Sequence, residues 1–551
     1  MRRNKHLLLW SSLTSLALLV VAAADENLFK DWRRLQATVG ETGGGIDVRL
    51  RQIVVPALRV TDRCVTCHVG MASGEPTAPA HPVLRPHPPV VHDPAQFGCT
   101  LCHGGQGRAT DIDEAHGRAP FWPSPMLPRR ASYAGCGTCH THLQVPSLAA
   151  LSAGSAAFER HDCLACHRLD GRGGTLRPDG HGMEGPDLSL VGATGYRPDW
   201  YSTHVTRQRA ASSAAWSASF AQVADPDREA IEVFLRSRVG APGLVEGKAL
   251  FQSLGCRGCH RVGGVGGEDG PDLTAVGNKD PGRLDFTHVS GERTLGNWFA
   301  EHFRSPQRLV PGSLMPVLGL TDEQIDRVTF YMLSLRRGEI PEAYWPVDRI
   351  RAERFGEREF AVDGATLWGA FCAACHGPSG EGMRYPGMFA FPAVANPDFL
   401  SLVSDDFLKA AVTRGRPGRR MAAWGQSPAG LRPDEIDAVV SHLRTLGGVA
   451  PEPDPRPARW VTGDAAAGGA LFDSHCARCH GPNGEGGEGP ALRNPVLLET
   501  ATDTMLVETI RRGRRGTTME GFMTATPTRP ALAQSDIESI VAFLRAKREG
   551  S

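Results

Sequence analysis

Apolar residues return at a helical period at three points of the chain. The sets are Ile325, Val328, Thr329 and Met332; Ile436, Val439, Val440 and Leu443; and Ile537, Ile540, Val541 and Leu544. Positions i, i+3, i+4 and i+7 share one face of an α-helix, so each set predicts an amphipathic helix with one buried stripe. Thr321/Gln324 and Ser535/Glu538 sit where capping boxes would open the first and third of these helices. Upstream of each helix is a short apolar stretch, such as "VEGKALFQSLG" or "GGALFDSH", which predicts a further short helix. Gly/Pro-rich loops lie between, among them "GPDLSLVG", "GPDLTAVG" and "GEGPALRN". The pattern recurs four times, counting a weaker copy that ends in "DREAIEVFLRSR". A unit of roughly 90 residues is too long for a solenoid repeat and predicts small beads in tandem. "PEPDPRP", residues 451–457, reads as a linker before the last bead.

Composition sharpens this picture. A chain of 551 residues is too long for one ordinary core and suggests three to five domains. With 64 Gly and 41 Pro, about a fifth of the chain, short helices joined by long loops are expected, packed around something other than side chains. A hydrophobic content of 41% argues against disorder. The 60 basic and 60 acidic side chains balance, so no bulk field favours nucleic acid or another highly charged partner. At the N-terminus, Arg2, Arg3 and Lys5 precede an apolar run from Leu7 and the small residues Ala22–Ala24. That is the layout of a secretory signal cleaved after Ala24, and residues 7–24 are also just long enough to anchor the chain in a bilayer. Both readings export the rest of the chain, with no later segment able to span.

All fourteen cysteines lie in C-x-x-C-H units: "CVTCH" (64–68), "CTLCH" (99–103), "CGTCH" (136–140), "CLACH" (163–167), "CRGCH" (256–260), "CAACH" (372–376) and "CARCH" (476–480). The unit is the attachment signal of c-type haem. Two thiols two residues apart add to the two porphyrin vinyl groups, and the adjacent histidine reaches the iron. Zinc sites give no reason for a histidine at one offset seven times, and a thioredoxin-like site explains only one pair. Seven haems c are therefore expected, attached through Cys64, Cys67, Cys99, Cys102, Cys136, Cys139, Cys163, Cys166, Cys256, Cys259, Cys372, Cys375, Cys476 and Cys479. Their proximal ligands are His68, His103, His140, His167, His260, His376 and His480.

With these motifs in place, residues 151–546 resemble four mono-haem class I cytochrome c domains, the fourth-motif unit least closely. The segments "DRCVTCHVG", "FGCTLCHGGQGRAT" and "EAHG" resemble the N-terminal part of multihaem cytochromes that accompany bacterial quinol-oxidising membrane complexes. The resemblances imply a mostly α, loop-rich fold. Tandem all-α domains at 151–242, 243–345, 346–457 (with the linker) and 458–551 would follow an irregular, haem-packed trihaem segment at 25–150. The first implies Met315, Met421 and Met519 as sixth ligands, with Met523 close enough to compete with Met519.

Three haems within 25–150 need three distal ligands, and histidines are plentiful there. His81, His92 and His116 are the expected ligands, with His87 and His142 in reserve and Met71 and Met126 behind them. In the fourth-motif unit, Ala215 falls opposite Met315. Met183 is badly placed, and His204 matches His302, so both of those histidines read as helix-surface residues. His181 remains as a ligand for that iron, His161 just before the motif could serve a neighbouring one, and a five-coordinate fourth iron is the alternative.

The expected function is electron transfer through seven haems in the periplasm. Lower-potential bis-His haems would lead to higher-potential His/Met haems. The donor would be a membrane quinol-oxidising complex or another redox protein, and the acceptor a soluble cytochrome or terminal oxidase. The alternative is an enzyme reducing peroxide or nitrite at an open fourth haem.

Overall fold

The structure, a computed structural model, describes residues 2–41, 45–88, 90–120, 122–174, 185–194, 197, 199–201, 203, 223–425, 430–527 and 529–546. It is mostly helical and loop-rich. The strands among the described residues form three two-stranded antiparallel hairpins: Ile53–Val55 with Val60–Asp62, Arg168–Leu169 with Arg172–Gly173, and Arg261–Val262 with Val265–Gly266.

The three expected amphipathic helices are Asp322–Ser334, Pro433–Gly447 and Gln534–Ala546, and each buries its predicted stripe. Thr321 and Gln324 close the expected capping box, the Gln324 N–H donating to Thr321 Oγ1 (3.2 Å) and the Thr321 N–H to Gln324 Oε1 (3.0 Å). Ser535 is no cap, because the helix has begun at Gln534. The carboxylate of Asp536 instead reaches back to the Ala533 N–H at 3.1 Å.

Every unit crosses its first helix against its last: Leu148–Arg160 on Asp225–Arg236, Pro242–Ser253 on Asp322–Ser334, Gly364–Leu367 on Pro433–Gly447, and Ala465–His475 on Gln534–Ala546. One glycine sits at each crossing, eight or nine residues before the first motif cysteine: Gly154, Gly247, Gly364 and Gly468. A Cβ at Gly247 would stand 2.6 Å from the Arg327 carbonyl oxygen, and one at Gly468 would overlap that of Ser539. The backbones thus approach as only glycine permits. Gly468→Ala is expected to cost about 3 kcal/mol, the upper end of ordinary overpacking. Thermal unfolding of the haem-loaded protein checks this, and an unchanged midpoint would show that the helices can slide apart freely.

The cores are shared between units. One continuous apolar cluster runs from Phe360 to Leu544, joining the last two units across an exposed 451–457 segment. A second centres on Tyr331, Phe251 and Trp298 and takes in Leu127, Ala131 and Ala134 from the N-terminal segment. That segment has little core of its own: Val39, Val69, Val83 and Leu84 form one small group, and Val55 and Leu58 join Ile340 in another. Arg2–Ala24 is a single exposed helix, long and apolar enough from Asn4 to cross a membrane.

Candidate haem sites

In four motifs the histidine ring is held the same way. Nδ1 meets a proline carbonyl in the following loop: His167 with Pro186 (2.9 Å), His260 with Pro271 (2.9 Å), His376 with Pro392 (2.9 Å) and His480 with Pro490 (2.8 Å). The carbonyl can only accept, so Nδ1 carries the proton and Nε2 keeps its lone pair for a metal. Glycine precedes the proline in three of these loops. Gly185, Gly270 and Gly489 lie so close to the imidazole that any Cβ would press on the ring. Burial pushes His260, His376 and His480 towards the neutral form, and the proline carbonyl only partly opposes it. A neutral imidazole with a fixed tautomer is what an iron ligand requires. In the fifth-motif unit, His302 Nδ1 is buried without a protein partner, as befits a side chain beside a bound polar group. The residues therefore fit haem.

Met315, Met421 and Met519 are half-buried, the first two packed against the cores of their units. Matching loops hold the last two, with the Arg416 N–H donating to the Met421 carbonyl (3.0 Å) and the Arg514 N–H to that of Met519 (2.7 Å). Met523 is 54% exposed, more open to solvent than Met519. His302 is not the helix-surface residue its pattern suggested. Its ring stacks on Trp298 at 5.2 Å and 7°, and burial carries its pKa down to about 4. The i, i+4 spacing of Trp298 and His302 was the available signal. His161 Nε2 is engaged by Asp227 at 2.7 Å and so is not turned towards a neighbouring iron. His181, Met183, His204 and Ala215 lie outside the described residues.

The first three motifs open on one cavity of about 2610 Å³. His68, His103 and His140 line it, as do His87, His92 and His116, and Met71 and Met126 reach its wall. Leu190, Leu244 and Leu284 of the following units line it too, and its volume exceeds the ~300–1,000 Å³ of a single ordinary cofactor pocket. The His87 and His103 ring centres are 6.1 Å apart, and those of His92 and His140 6.0 Å. Burial pushes all three motif histidines towards the neutral form. The charges of His116, His87 and His92 act the same way on His68, His103 and His140 respectively.

His81 stands apart from the cavity. Its Nδ1 accepts the Val83 N–H (3.2 Å), so the ring is turned onto its own loop. His142 lies outside the cavity too, with Nδ1 3.2 Å from Thr141 Oγ1. Sequence spacing ranked His81 above His87, since nothing local says which histidine faces inwards.

Successive motifs also back onto each other. The Cys64 side chain lies beside that of Cys99, and the Cys259 side chain beside that of Cys375. Gly135 lies directly beneath the Cys102 carbonyl. Gly255 and Gly258 pack on Phe371 and Ala374. The last two units face each other through a pseudo-twofold pair of contacts, in which Asn396 Nδ2 donates to the Arg515 carbonyl (2.8 Å) and Asn494 Nδ2 to that of Pro417 (3.1 Å).

Residues 244–336, 361–447 and 465–547 match the family model described as cytochrome c. The chain is 34% identical over 163 residues to the cbb3-type cytochrome c oxidase subunit FixP of Bradyrhizobium sp. (strain ORS 278), covering 28% of this chain and 51% of that protein. It is 32% identical over 171 residues to the subunit CcoP of Azospirillum sp. (strain B510), 28% of this chain and 53% of that one. For CcoP of Rhodobacter capsulatus the figures are 27% over 196 residues, 33% and 61%. The chain thus spans about half the length of the curated relatives it matches. Each matched segment holds one C-x-x-C-H motif with its proline-bound histidine, so the C-terminal part of this chain is a series of three units similar to cytochrome c.

Proposed function

We propose that the chain is a heptahaem c-type cytochrome, exported to the periplasm, that carries electrons between a membrane donor and a terminal acceptor. A trihaem segment at 25–150 leads to mono-haem domains at 151–242, 243–345, 346–457 and 458–551. The observation that carries this reading is the contact between successive motifs: Gly135 against Cys102, Gly255 and Gly258 against Phe371 and Ala374, and the adjacency of Cys64 to Cys99 and of Cys259 to Cys375. Haems anchored at adjoining motifs have neighbouring edges, the arrangement of a conductor rather than of seven separate sites.

Bound haem supplies one-electron chemistry, and the chain's own residues set spacing and potential. His/Met ligation by Met315, Met421 and Met519 raises the potential of the C-terminal haems, so passage from the N-terminal end is downhill. Each ~59 mV of drop biases one electron tenfold. The donor is a membrane quinol-oxidising complex or another redox protein, consistent with an N-terminal helix able to reach the membrane. A soluble cytochrome or a terminal oxidase is the acceptor. The oxidase has the support of relatives named as oxidase subunits. The rival, small-ligand reduction at the fourth motif, turns on residues 204–222, which lie outside the described structure.

The mass of the mature protein tests the haem count, and a redox titration of its spectrum tests the order of potentials. Seven haems in a lower and a higher group are expected; fewer haems, or a single narrow group, would sink the reading. Met421→Ala is expected to make one haem high-spin and able to take up carbon monoxide, with its potential lowered by on the order of 0.1 V. An unchanged spectrum would remove Met421 as a ligand.

A further inference from the structure

We propose that the three irons of the N-terminal segment are each held between two histidines, paired His68 with His116, His103 with His87 and His140 with His92. The inference rests on the haem reading of the first three motifs and goes beyond it by naming every axial ligand there.

Geometry assigns two pairs directly. The ring centres of His87 and His103 are 6.1 Å apart, and those of His92 and His140 6.0 Å. An imidazole nitrogen binds a metal at ~2.0–2.1 Å. The centre of a five-membered ring with ~1.35 Å bonds lies ~1.15 Å behind that nitrogen. Two rings on opposite sides of one iron therefore have centres ~6.3 Å apart, close to both observed values. Other ring pairs in the chain stand as far apart, such as Phe399 and Phe407 at 6.1 Å, but these two are pairs of imidazoles that both line the cavity of the motifs. Among the histidines lining the cavity, His68 and His116 remain once these pairs are made. Each pair contains one motif histidine and one from outside the motifs, so no iron lacks a ligand and no cavity histidine is left over.

The pairing crosses the chain. His87 and His92, five residues apart in "HPPVVH", serve two different haems, while His116 reaches back to the first motif. The prolines at 88 and 89 restrict that stretch to extended conformations before any haem binds. Less entropy is then lost when its two ends are fixed. Each iron thus ties together chain segments that share little apolar core.

The test is electron paramagnetic resonance and carbon monoxide binding on the full haem-loaded chain, with His87→Ala, His92→Ala, His116→Ala and, as control, His81→Ala. Each of the first three should turn one haem in seven high-spin and open to carbon monoxide, and the control should match the parent. The ring planes of His87 and His103 are inclined at 62°, those of His92 and His140 at 22°. His87→Ala should therefore remove the more anisotropic low-spin signal and His92→Ala a more rhombic one, which separates ligation from a loss of packing. Where an alanine variant fails to load, the methionine variant is read instead. It should stay low-spin while one low-potential haem moves up to the His/Met group. A parent with high-spin iron in this segment, a His81→Ala response, or seven loaded haems with unchanged signals in His87→Ala would each overturn the pairing. Fewer than three haems on the segment by peptide mass would instead sink the haem reading beneath it.

Discussion

Glu359→Ala is expected to cost the folded chain about 3–5 kcal/mol, the loss typical when one partner of a buried ion cluster is removed. Two cations depend on this carboxylate. Lys248 Nζ lies 3.0 Å from Glu359 Oε2 and donates to the carbonyls of Thr141 (3.1 Å) and Leu143 (2.8 Å). Arg257 Nη2 donates to Glu359 Oε1 at 2.6 Å, while its Nη1 is held by the Val262 and Val265 carbonyls. Arg257 and Lys248 are 0% and 1% exposed, so neither charge can turn to water. Burial holds the Lys248 ammonium below its usual range even beside Glu359, which makes it a costly cation whose compensation the carboxylate provides. The cluster also joins three parts of the chain: the third-motif segment through Thr141 and Leu143, the fifth-motif unit through Lys248 and Arg257, and the sixth through Glu359. Its loss should loosen the junction that brings Cys259 against Cys375.

The pH dependence has a definite sign. Burial alone would raise the Glu359 carboxyl, but Lys248 and Arg257 outweigh it and hold the group at about 2, against an ordinary 4.5. A depressed carboxyl contributes its full stability above the unfolded value and loses it as pH falls through the folded one. The parent should therefore weaken between about pH 4.5 and 2, and Glu359→Ala should lose that part of the slope. Adding Lys248→Met to the variant should restore part of the loss, because one of the two stranded charges goes with it. Denaturation followed by circular dichroism at pH 7 and pH 3 measures both effects. A variant within 1 kcal/mol of the parent at pH 7 would show that the cations are compensated elsewhere.

Much of the C-terminal fold was legible because its signals are local. The stripes at 325–332, 436–443 and 537–544 announce their helices, and each C-x-x-C-H announces its attachment site. The crossing glycines were legible in principle, since Gly154, Gly247, Gly364 and Gly468 keep nearly one distance from the first cysteine. Their meaning emerges only when a second helix lies against them. Other readings depended on tertiary facts that no window of sequence holds. His81 and His87 are six residues apart in one proline-rich loop, and only the folded chain turns the first onto Val83 and the second towards His103. His302 resembled a surface histidine until Trp298 covered it. Independent beads were expected from the tandem pattern, yet the apolar cluster from Phe360 to Leu544 runs through two of them. An exposed, proline-rich linker says nothing about whether the domains it joins share a core.

A chain made without haem attachment should show no amide protection across residues 45–147, whatever helix survives further on. The three motifs there open on about 2610 Å³ that side chains do not fill, part of its lining coming from later residues such as Leu190, Leu244 and Leu284. At about 24 cal/mol per Å³ of unfilled cavity, leaving even a tenth of that volume dry costs about 6 kcal/mol, comparable to the whole stability of a small domain. Flooding the cavity avoids that cost only by wetting the apolar side chains around it, which removes the drive to close it. The local reserves are small: Val39, Val69, Val83 and Leu84 in one cluster, Val55 and Leu58 in another, while Leu127, Ala131 and Ala134 depend on the core around Tyr331. Residues 360–544 differ, because their shared cluster includes Phe371, Leu400, Phe472, Val507 and Val541, all nearly inaccessible to water. Some helical protection should persist there, weakest around the motifs. Hydrogen exchange on the haem-free chain, read peptide by peptide, separates the two regions. Protected amides throughout 45–147 would mean that the segment folds on its side chains alone and that its haems are passengers. Protection confined to the C-terminal units would mean that the haems are the core of the N-terminal segment, so that electron transfer and folding there depend on the same ligands.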